Sequence, residues 1–390
     1  MNAVKLGDIC NFYNGGAWSQ NEFTEAGYPV LKVSNCKSNG FEISDVSYIP
    51  YDIAQKSKIN KLQIDDVIIA TVGSHPNLVE SAAGRSCVVT TAVVGFYLNQ
   101  NAVCLRSKDP NVFSQKYLGY LAASAPFKHY IQSRGKGAAN QMRIAISAIK
   151  DFSLVLPDIE VQKAVGTILS AYDDLIENNQ KQIKLLEEAA QRLYKEWFVD
   201  LRFPGHENTK ITDGIPERWR RGALADVATF KRGKTITKEQ TNPGVVPVVA
   251  GGLEPAYFHD TFNTGAPVIT VSGSGANAGF TRMYHTKVWA SDCSYVDSVA
   301  TENLAWVYCF LKENNTKIET MQKGAAQPHV YAKDINALEA VIPNDKQMKR
   351  FQAITEPMFA RIGTLETQKA RLREACNCLL PKLMNGEIEV

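Results

Sequence analysis

Six short stretches of the chain set small residues beside amides and bases, the side chains that hydrogen-bond to a polyanion and to the edges of nucleobases. In the first half they are Gly73-Ser74-His75-Pro76-Asn77, Gly84-Arg85-Ser86, and the run from Arg134 to Arg143. In the second half they are Lys231-Arg232-Gly233-Lys234, the run from Ser272 to Asn277, and the run from Lys323 to His329. Arg and Lys grip phosphate or pair with guanine, while Asn and Gln offer a donor beside an acceptor, which suits adenine. The candidate contacts are therefore Ser74, His75, Asn77, Arg85, Arg134, Lys136, Asn140, Gln141, Arg143, Lys231, Arg232, Lys234, Ser274, Asn277, Lys323, Gln327 and His329. The plainer reading makes these loops ordinary Gly-rich turns with a solvated charged rim. The two readings part on whether the loops share one face.

Other chemistry finds no footing in the residues. Gly233-Lys234-Thr235 resembles the end of a phosphate loop, but the glycine needed five positions earlier is Ala228. The six histidines show no HxxxH spacing and no nucleophile partner, and Ser272-Gly273-Ser274-Gly275 lacks the order of a nucleophile elbow. There is no Asn-Pro-Pro-aromatic motif and no Gly-rich methyl-donor loop. The eight cysteines form no CxxC pair, so a structural metal is not expected and the thiols read as reduced and mostly buried. The expectation is a chain without an active site of its own.

What must position the loops is written twice. Leu6-Gly7-Asp8-Ile9, Phe12, Gly15 and Pro29 recur as Leu224-Ala225-Asp226-Val227, Phe230, Gly233 and Pro247, all displaced by 218 residues. Gly137-Ala138-Ala139-Asn140 before Leu156-Pro157 is echoed by Gly324-Ala325-Ala326-Gln327 before Ile342-Pro343. Two copies make a duplicated module, not a solenoid. Short β-type runs such as residues 66–72 and 267–271, followed by helical runs over 112–131 and 302–312, give each copy a mixed α+β character.

After each closing proline comes a heptad-patterned helix. From Asp158 to Val199 one seam position holds Leu169, Ile176, Ile183, Ala190 and Trp197, and the other holds Val165, Tyr172, Asn179, Leu186 and Leu193. The second helix sets Met348, Thr355, Ile362, Lys369, Cys376 and Leu383 against Phe351, Met358, Leu365, Leu372 and Leu379. Each seam carries one strongly polar member, Asn179 or Lys369. Pro357 is expected to kink or interrupt the second helix near Glu356, and Pro381 with Asn385-Gly386 to end it. About 40 residues at 1.5 Å per residue make a rod on the order of 60 Å, matching between one and two turns of duplex DNA. Ile168, Leu175 and Leu185 fall off the seam, either to receive helices of partner proteins or to pack on the flanking domains. The resulting division is 1–157 globular, 158–200 helix, 201–218 Pro/Gly-punctuated linker, 219–343 globular and 344–390 helix with tail.

Composition narrows the class without deciding it. The chain has 390 residues, 45% hydrophobic and 21% charged, with 43 Lys+Arg against 40 Asp+Glu. That describes a globular protein with room for two or three cores, mild enough in charge to permit nucleic-acid binding without arguing for it. No apolar run is long enough for a membrane span and Met1-Asn2-Ala3-Val4-Lys5 opens no signal core, so the expected location is the cytoplasm, with no membrane partner.

The stretch Asn178-Asn179-Gln180, Gln191-Arg192-Leu193-Tyr194-Lys195-Glu196-Trp197-Phe198, Arg202-Phe203-Pro204-Gly205 and Ile215-Pro216-Glu217-Arg218-Trp219 resembles the central region of type I restriction-modification specificity subunits. The tail Leu379-Leu380-Pro381-Lys382-Leu383-Met384-Asn385-Gly386-Glu387-Ile388 resembles the end of the same family. The resemblance implies an α+β architecture with an internal pseudo-two-fold repeat: two similar target-recognition domains separated by two long antiparallel coiled-coil helices. It implies a non-catalytic subunit that binds double-stranded DNA, each domain reading half of a split target. It also implies two methyltransferase (modification) subunits docked on the helices, and restriction/translocase subunits joining for cleavage. S-adenosylmethionine and ATP would belong to those partners, leaving this chain without a cofactor. The competing class is a structural adaptor that joins proteins through its helices and ignores DNA.

Overall fold

The computed structural model describes residues 3–37, 40–74, 83–138, 141–322 and 328–390. The chain divides into two compact units, 1–175 with 372–390, and 176–371, so that each unit owns a stretch of both long helices. In the first unit a four-stranded antiparallel sheet runs Cys10–Asn14, Ala102–Ser107, Val67–Ala70, Ser86–Val88. All four residues of Val67–Ala70 are buried. Alternation along that strand sends Val67 and Ile69 into one apolar cluster and Ile68 into another, so both faces of the sheet are covered. A three-stranded sheet places Tyr28–Leu31 between Tyr97–Leu98, parallel to it, and Ser47–Ile49.

The second unit repeats this plan. Its four-stranded sheet runs Lys231–Arg232, Cys293–Asp297, Val268–Ser272, Thr281–Tyr284, and Ile269 and Val271 enter one cluster while Val268 enters another. Val246–Val249 again pairs in parallel, here with Trp289–Ala290. In both copies the first strand closes on the last before the long helix: Ala3–Lys5 on Ser153–Val155, and Arg220–Ala223 on Glu339–Ile342. The duplication read in the sequence is therefore a duplication of strand order and direction.

The helical run expected over 112–131 is two helices, Gln115–Ala123 and Ala125–Ser133. Ser124 divides them: its Oγ donates to Leu121 O at 2.7 Å and accepts from Phe127 N at 3.4 Å, with Pro126 in the next first turn. In the second unit the corresponding pair is Leu304–Glu313 and Asn315–Thr320.

The central helix spans Ile159–Tyr194 and closes in one π-turn, Lys195–Val199; the C-terminal helix spans Asp345–Met384. The two run antiparallel within each unit. In the second, Lys369 Nζ donates to Gln180 Oε1, Arg361 reaches Gln182 at 3.5 Å, and Phe351 meets Tyr194 and Trp197. In the first, Val165 and Leu169 share a cluster with Leu379 and Leu383. The seam residues behave as the heptads require: Leu169 and Leu365 are fully buried, Asn179, Ile183 and Ile362 are buried, and Ile176, Leu186, Leu193, Lys369, Leu372 and Leu379 are half-buried. Off the seam, Ile168 packs on the first unit's core, whereas Leu175 and Leu185 are 50% and 64% exposed.

Tyrosines fasten the central helix to each domain. Tyr120 Oη donates to Asp173 Oδ2 at 2.6 Å in the first unit, and Tyr308 Oη to Glu187 Oε1 at 3.2 Å in the second. Buried Gln162 accepts from Ser114 N and donates to Pro157 O and Val112 O, stitching the helix start to the first domain. The aromatic motif Tyr194, Trp197, Phe198, Phe203 and Trp219 forms one knot with Phe351, with ring centroids 4.8–6.2 Å apart. Those residues anchor the linker; they are packing.

Pro357 does not interrupt the C-terminal helix, and Pro381 lies inside its last turn, before the helix stops at Met384. Pro357 is exposed, on the face away from Phe351, Thr355, Phe359, Ile362 and Leu365, all buried. Burial on both sides of the proline holds the helix where local preference would break it. Thr355 Oγ1 donates to Phe351 O at 2.9 Å within the same stretch.

Two expectations follow from this packing. Pro357→Ala restores a backbone N–H and removes the ring's clash, so chemical denaturation should show a gain of about 1–3 kcal/mol. His285, stacked on Phe359 at 6.4 Å, is pushed down by burial from 6.5 to about 4. Because the folded value lies below the unfolded one, the stability it confers is complete above about 6.5 and drains as pH falls toward about 4. Denaturation of His285→Phe at pH 7 and pH 5 should show a smaller difference than the wild-type chain does.

Candidate nucleic-acid interface

In the first unit, two candidate loops far apart in sequence meet in one small sheet. Lys136–Ala138 pairs antiparallel with Gln141–Arg143, which pairs in turn with Val72–Gly73, setting Lys136 opposite Arg143 and Arg143 opposite Val72. Ser74 follows directly. This sheet walls a cavity of about 990 Å³ into which Arg134, Lys136 and Arg143 all face. All three are exposed, and the Arg134 guanidinium lies 4.8 Å from the centre of the Tyr130 ring, which braces it by cation–π attraction. The one carboxylate on the lining, Asp151, accepts from Lys5 Nζ at 2.9 Å. A concave, cationic wall of this kind suits a phosphate backbone.

The lining also includes amides that carry no motif in the sequence: Asn14, Gln100 and Asn101. Gly15 explains how they come there. A Cβ at Gly15 would stand 1.8 Å from Asn99 O, so only glycine lets the strand end touch the turn ahead of Ala102–Ser107. Gly233, its repeat partner, meets the same constraint, with Ser291 O at 2.3 Å from a Cβ. The recurrence of this glycine marks a close backbone approach at the cavity's edge in one copy and at the equivalent turn in the other.

The second unit joins its loops the same way. Ser274 and His329 form an antiparallel bridge, Gly275 N donates to Pro328 O at 3.1 Å, and Val330 N donates to Gly273 O at 3.1 Å. Ser274 Oγ donates to Asp292, and His329 stacks on Tyr331 with ring centroids 5.9 Å apart. Asn277 is half-buried in the turn that closes on Phe280 N. Lys231, Arg232 and Lys234 are exposed on and after the edge strand Lys231–Arg232. Their strand pairs with Ser294 and Tyr295, apart from the bridge that joins the loops of Ser274 and His329.

Arg85 takes another place. Its Nη1 donates to Cys36 O at 2.6 Å, half-buried, and it is not on the cavity lining. Gln141 pairs through its backbone with Ala138. His75, Asn77, Asn140, Lys323 and Gln327 lie outside the described residues. Six of the eight cysteines are buried, and among the described residues no group of three metal-ligating side chains comes together. Among them, too, no helix is long and apolar enough to cross a membrane.

Two copies of a sheet-borne loop pair, one of them walling a cationic cleft, on domains threaded by shared helices, define a duplicated recognition protein. The model of the type I restriction modification DNA specificity domain matches the chain twice, over residues 1–188 and 216–374. The chain belongs to that family, and its two domains are DNA sequence recognition domains of a specificity subunit. It is 25% identical over 300 residues to the type I restriction enzyme MjaIX specificity subunit of Methanocaldococcus jannaschii, covering 70% of this chain and 69% of that protein. The putative MjaX specificity subunit of the same organism is 23% identical, over 99% of this chain and 93% of its own length. Among solved structures, the type I restriction-modification S subunit from M. genitalium shares the fold, with a TM-score of 0.62 at 16% identity over 98% of this chain and 95% of that one.

Gly15→Ala and Gly233→Ala should each lower stability by about 1–3 kcal/mol, since a backbone carbonyl must give way. Thermal melts of the two variants check this. A change under about 0.5 kcal/mol in both would contradict the close approach.

Proposed function

We propose that each recognition domain reads one half of a bipartite duplex target, and that the paired helices set the interval between the halves and carry the contacts to two methyltransferase subunits. The observation that supports this most is that one chain carries the reading constellation twice, with the same strand order and the same loop pairing. A single cleft would have no use for the second copy, whereas a split target demands it. The exposed Leu175 and Leu185 on the central helix are fitting partner contacts. In the assembled system the chain contributes recognition alone. Adenine methylation with S-adenosylmethionine, and ATP-driven translocation and cleavage by restriction subunits, belong to the partners, and the working compartment is the cytoplasm.

Binding should weaken steeply with salt, because phosphate contacts release counterions. Arg134→Ala and Lys136→Ala should each reduce the slope of log affinity against log salt by about one and weaken all sequences alike if they grip phosphate. Fluorescence anisotropy of labelled duplexes across a salt series measures both. A chain or complex that ignores duplex even at low salt would favour the adaptor reading.

A further inference from the structure

The amides on the lining of the first domain's cleft carry no charge, and main-chain hydrogen bonds fix the turn that bears two of them. Asn101 sits at φ 74°, a left-handed conformation that Asn tolerates and most residues avoid. Its carbonyl accepts from Thr71 N at 2.8 Å, and the carbonyl of Thr71 accepts from Ile144 N at 2.8 Å. Gln100 N donates to Gly16 O at 2.8 Å. This backbone chain ties the turn to the strand end that carries Arg143, so the spacing between amides and bases is fixed by main-chain hydrogen bonds. The side chains of Gln100 and Asn101 are both exposed, and neither is engaged by another described residue. Free amides on a turn fixed by the backbone, lining the same cavity as Arg134, Lys136 and Arg143, are placed to meet base edges while the cationic side chains hold the phosphate backbone.

The second domain supplies an independent observation. The turn ahead of its equivalent strand is Ser291-Asp292, held by the same device: Gly273 N donates to Asp292 O at 3.1 Å, as Thr71 N does to Asn101 O. Gly233 N donates to Cys293 O, as Gly15 N does to Ala102 O. These two main-chain bonds are kept, but Ser291 is buried and accepts from Ile236 N, and the Asp292 carboxylate accepts from Ser274 Oγ, so the exposed, unengaged amides are particular to the first domain's turn.

We infer that the Gln100-Asn101 turn is a specificity-determining element of the first domain, its amides pairing with base edges, adenine foremost, in one half-site. This rests on the split-target reading above. The test is selection from a pool of random-sequence duplexes by the full chain, as the complex purified from the cells that make it. Asn101→Gly removes the amide at a φ that glycine accepts freely, and Gln100→Ala removes its neighbour. Either variant should lose preference at one or two adjacent base pairs of a single half-site, by roughly five- to 150-fold per good bidentate pair. The other half-site and the salt slope should stay as they are. Asn101→Asp, which keeps the left-handed conformation, should shift the selected base instead of only weakening it. An unchanged motif in all three variants, or uniform weakening of every sequence, overturns the assignment while leaving the split-target reading intact. If the wild-type complex enriches no motif, both fall together.

Discussion

The structure depends on the antiparallel seam between the central and C-terminal helices. Neither helix is stable on its own account: each presents an apolar stripe to the other and to a domain, and isolated helices gain little without such packing. Within each unit the domain's largest cluster includes residues from both helices, so domain core and helix seam are one hydrophobic body. Burial of Leu169, Ile362, Leu365 and Phe351, each at 2% exposure or less, supplies the energy; truncating a side chain such as Phe351 to Ala typically costs about 3–5 kcal/mol. Polar members set the alignment. Asn179 is buried within the seam, and Lys369 bridges to Gln180 on the facing helix, a contact that a shift of one turn would break.

A second constraint acts inside each domain, where main-chain contacts decide where reading side chains can stand. Gly15 and Gly233 admit a carbonyl that any larger residue would exclude. The hydrogen bonds from Thr71 to Asn101 and from Ile144 to Thr71 then relay that position across the small sheet to the hairpin carrying Lys136 and Arg143. Function in this chain is therefore a matter of rigid backbone presenting variable side chains. The same scaffold carries different groups at this turn: Gln100 and Asn101 are exposed, whereas Ser291 is buried and Asp292 accepts from Ser274 Oγ.

Much of this was legible in the residues. The 218-residue offset, the heptads and the alternating strands are periodic signals, and each corresponds to an element in the structure. Pro357 misled because its local cost was weighed without the burial of Phe351, Thr355 and Phe359 around it, on a helix whose proline faces solvent. The basic residues Arg134, Lys136 and Arg143 were visible because a charge beside glycine stands out, and the fold brings them to one cleft. Arg85 looked alike in sequence, but its guanidinium turns inward to Cys36 O. Asn14, Gln100 and Asn101 were invisible because amides at a strand end and in a turn have no signature until a fold brings them to the same cavity as basic residues. The glycine shared by the two copies, Gly15 and Gly233, was visible as part of the repeat, but only the structure shows the close backbone approach it permits.

The register of the seam is the claim on which the rest stands, and a cross-link measures it directly. In a chain with the exposed Cys378 replaced by Ser, Gln180→Cys with Lys369→Cys should close an intramolecular disulfide under mild oxidation, seen as a shift in non-reducing electrophoresis. The displaced pair Gln180→Cys with Glu356→Cys, about 20 Å away along the helix, should not. Equal cross-linking of both pairs, or closure of the displaced pair alone, would contradict the antiparallel register.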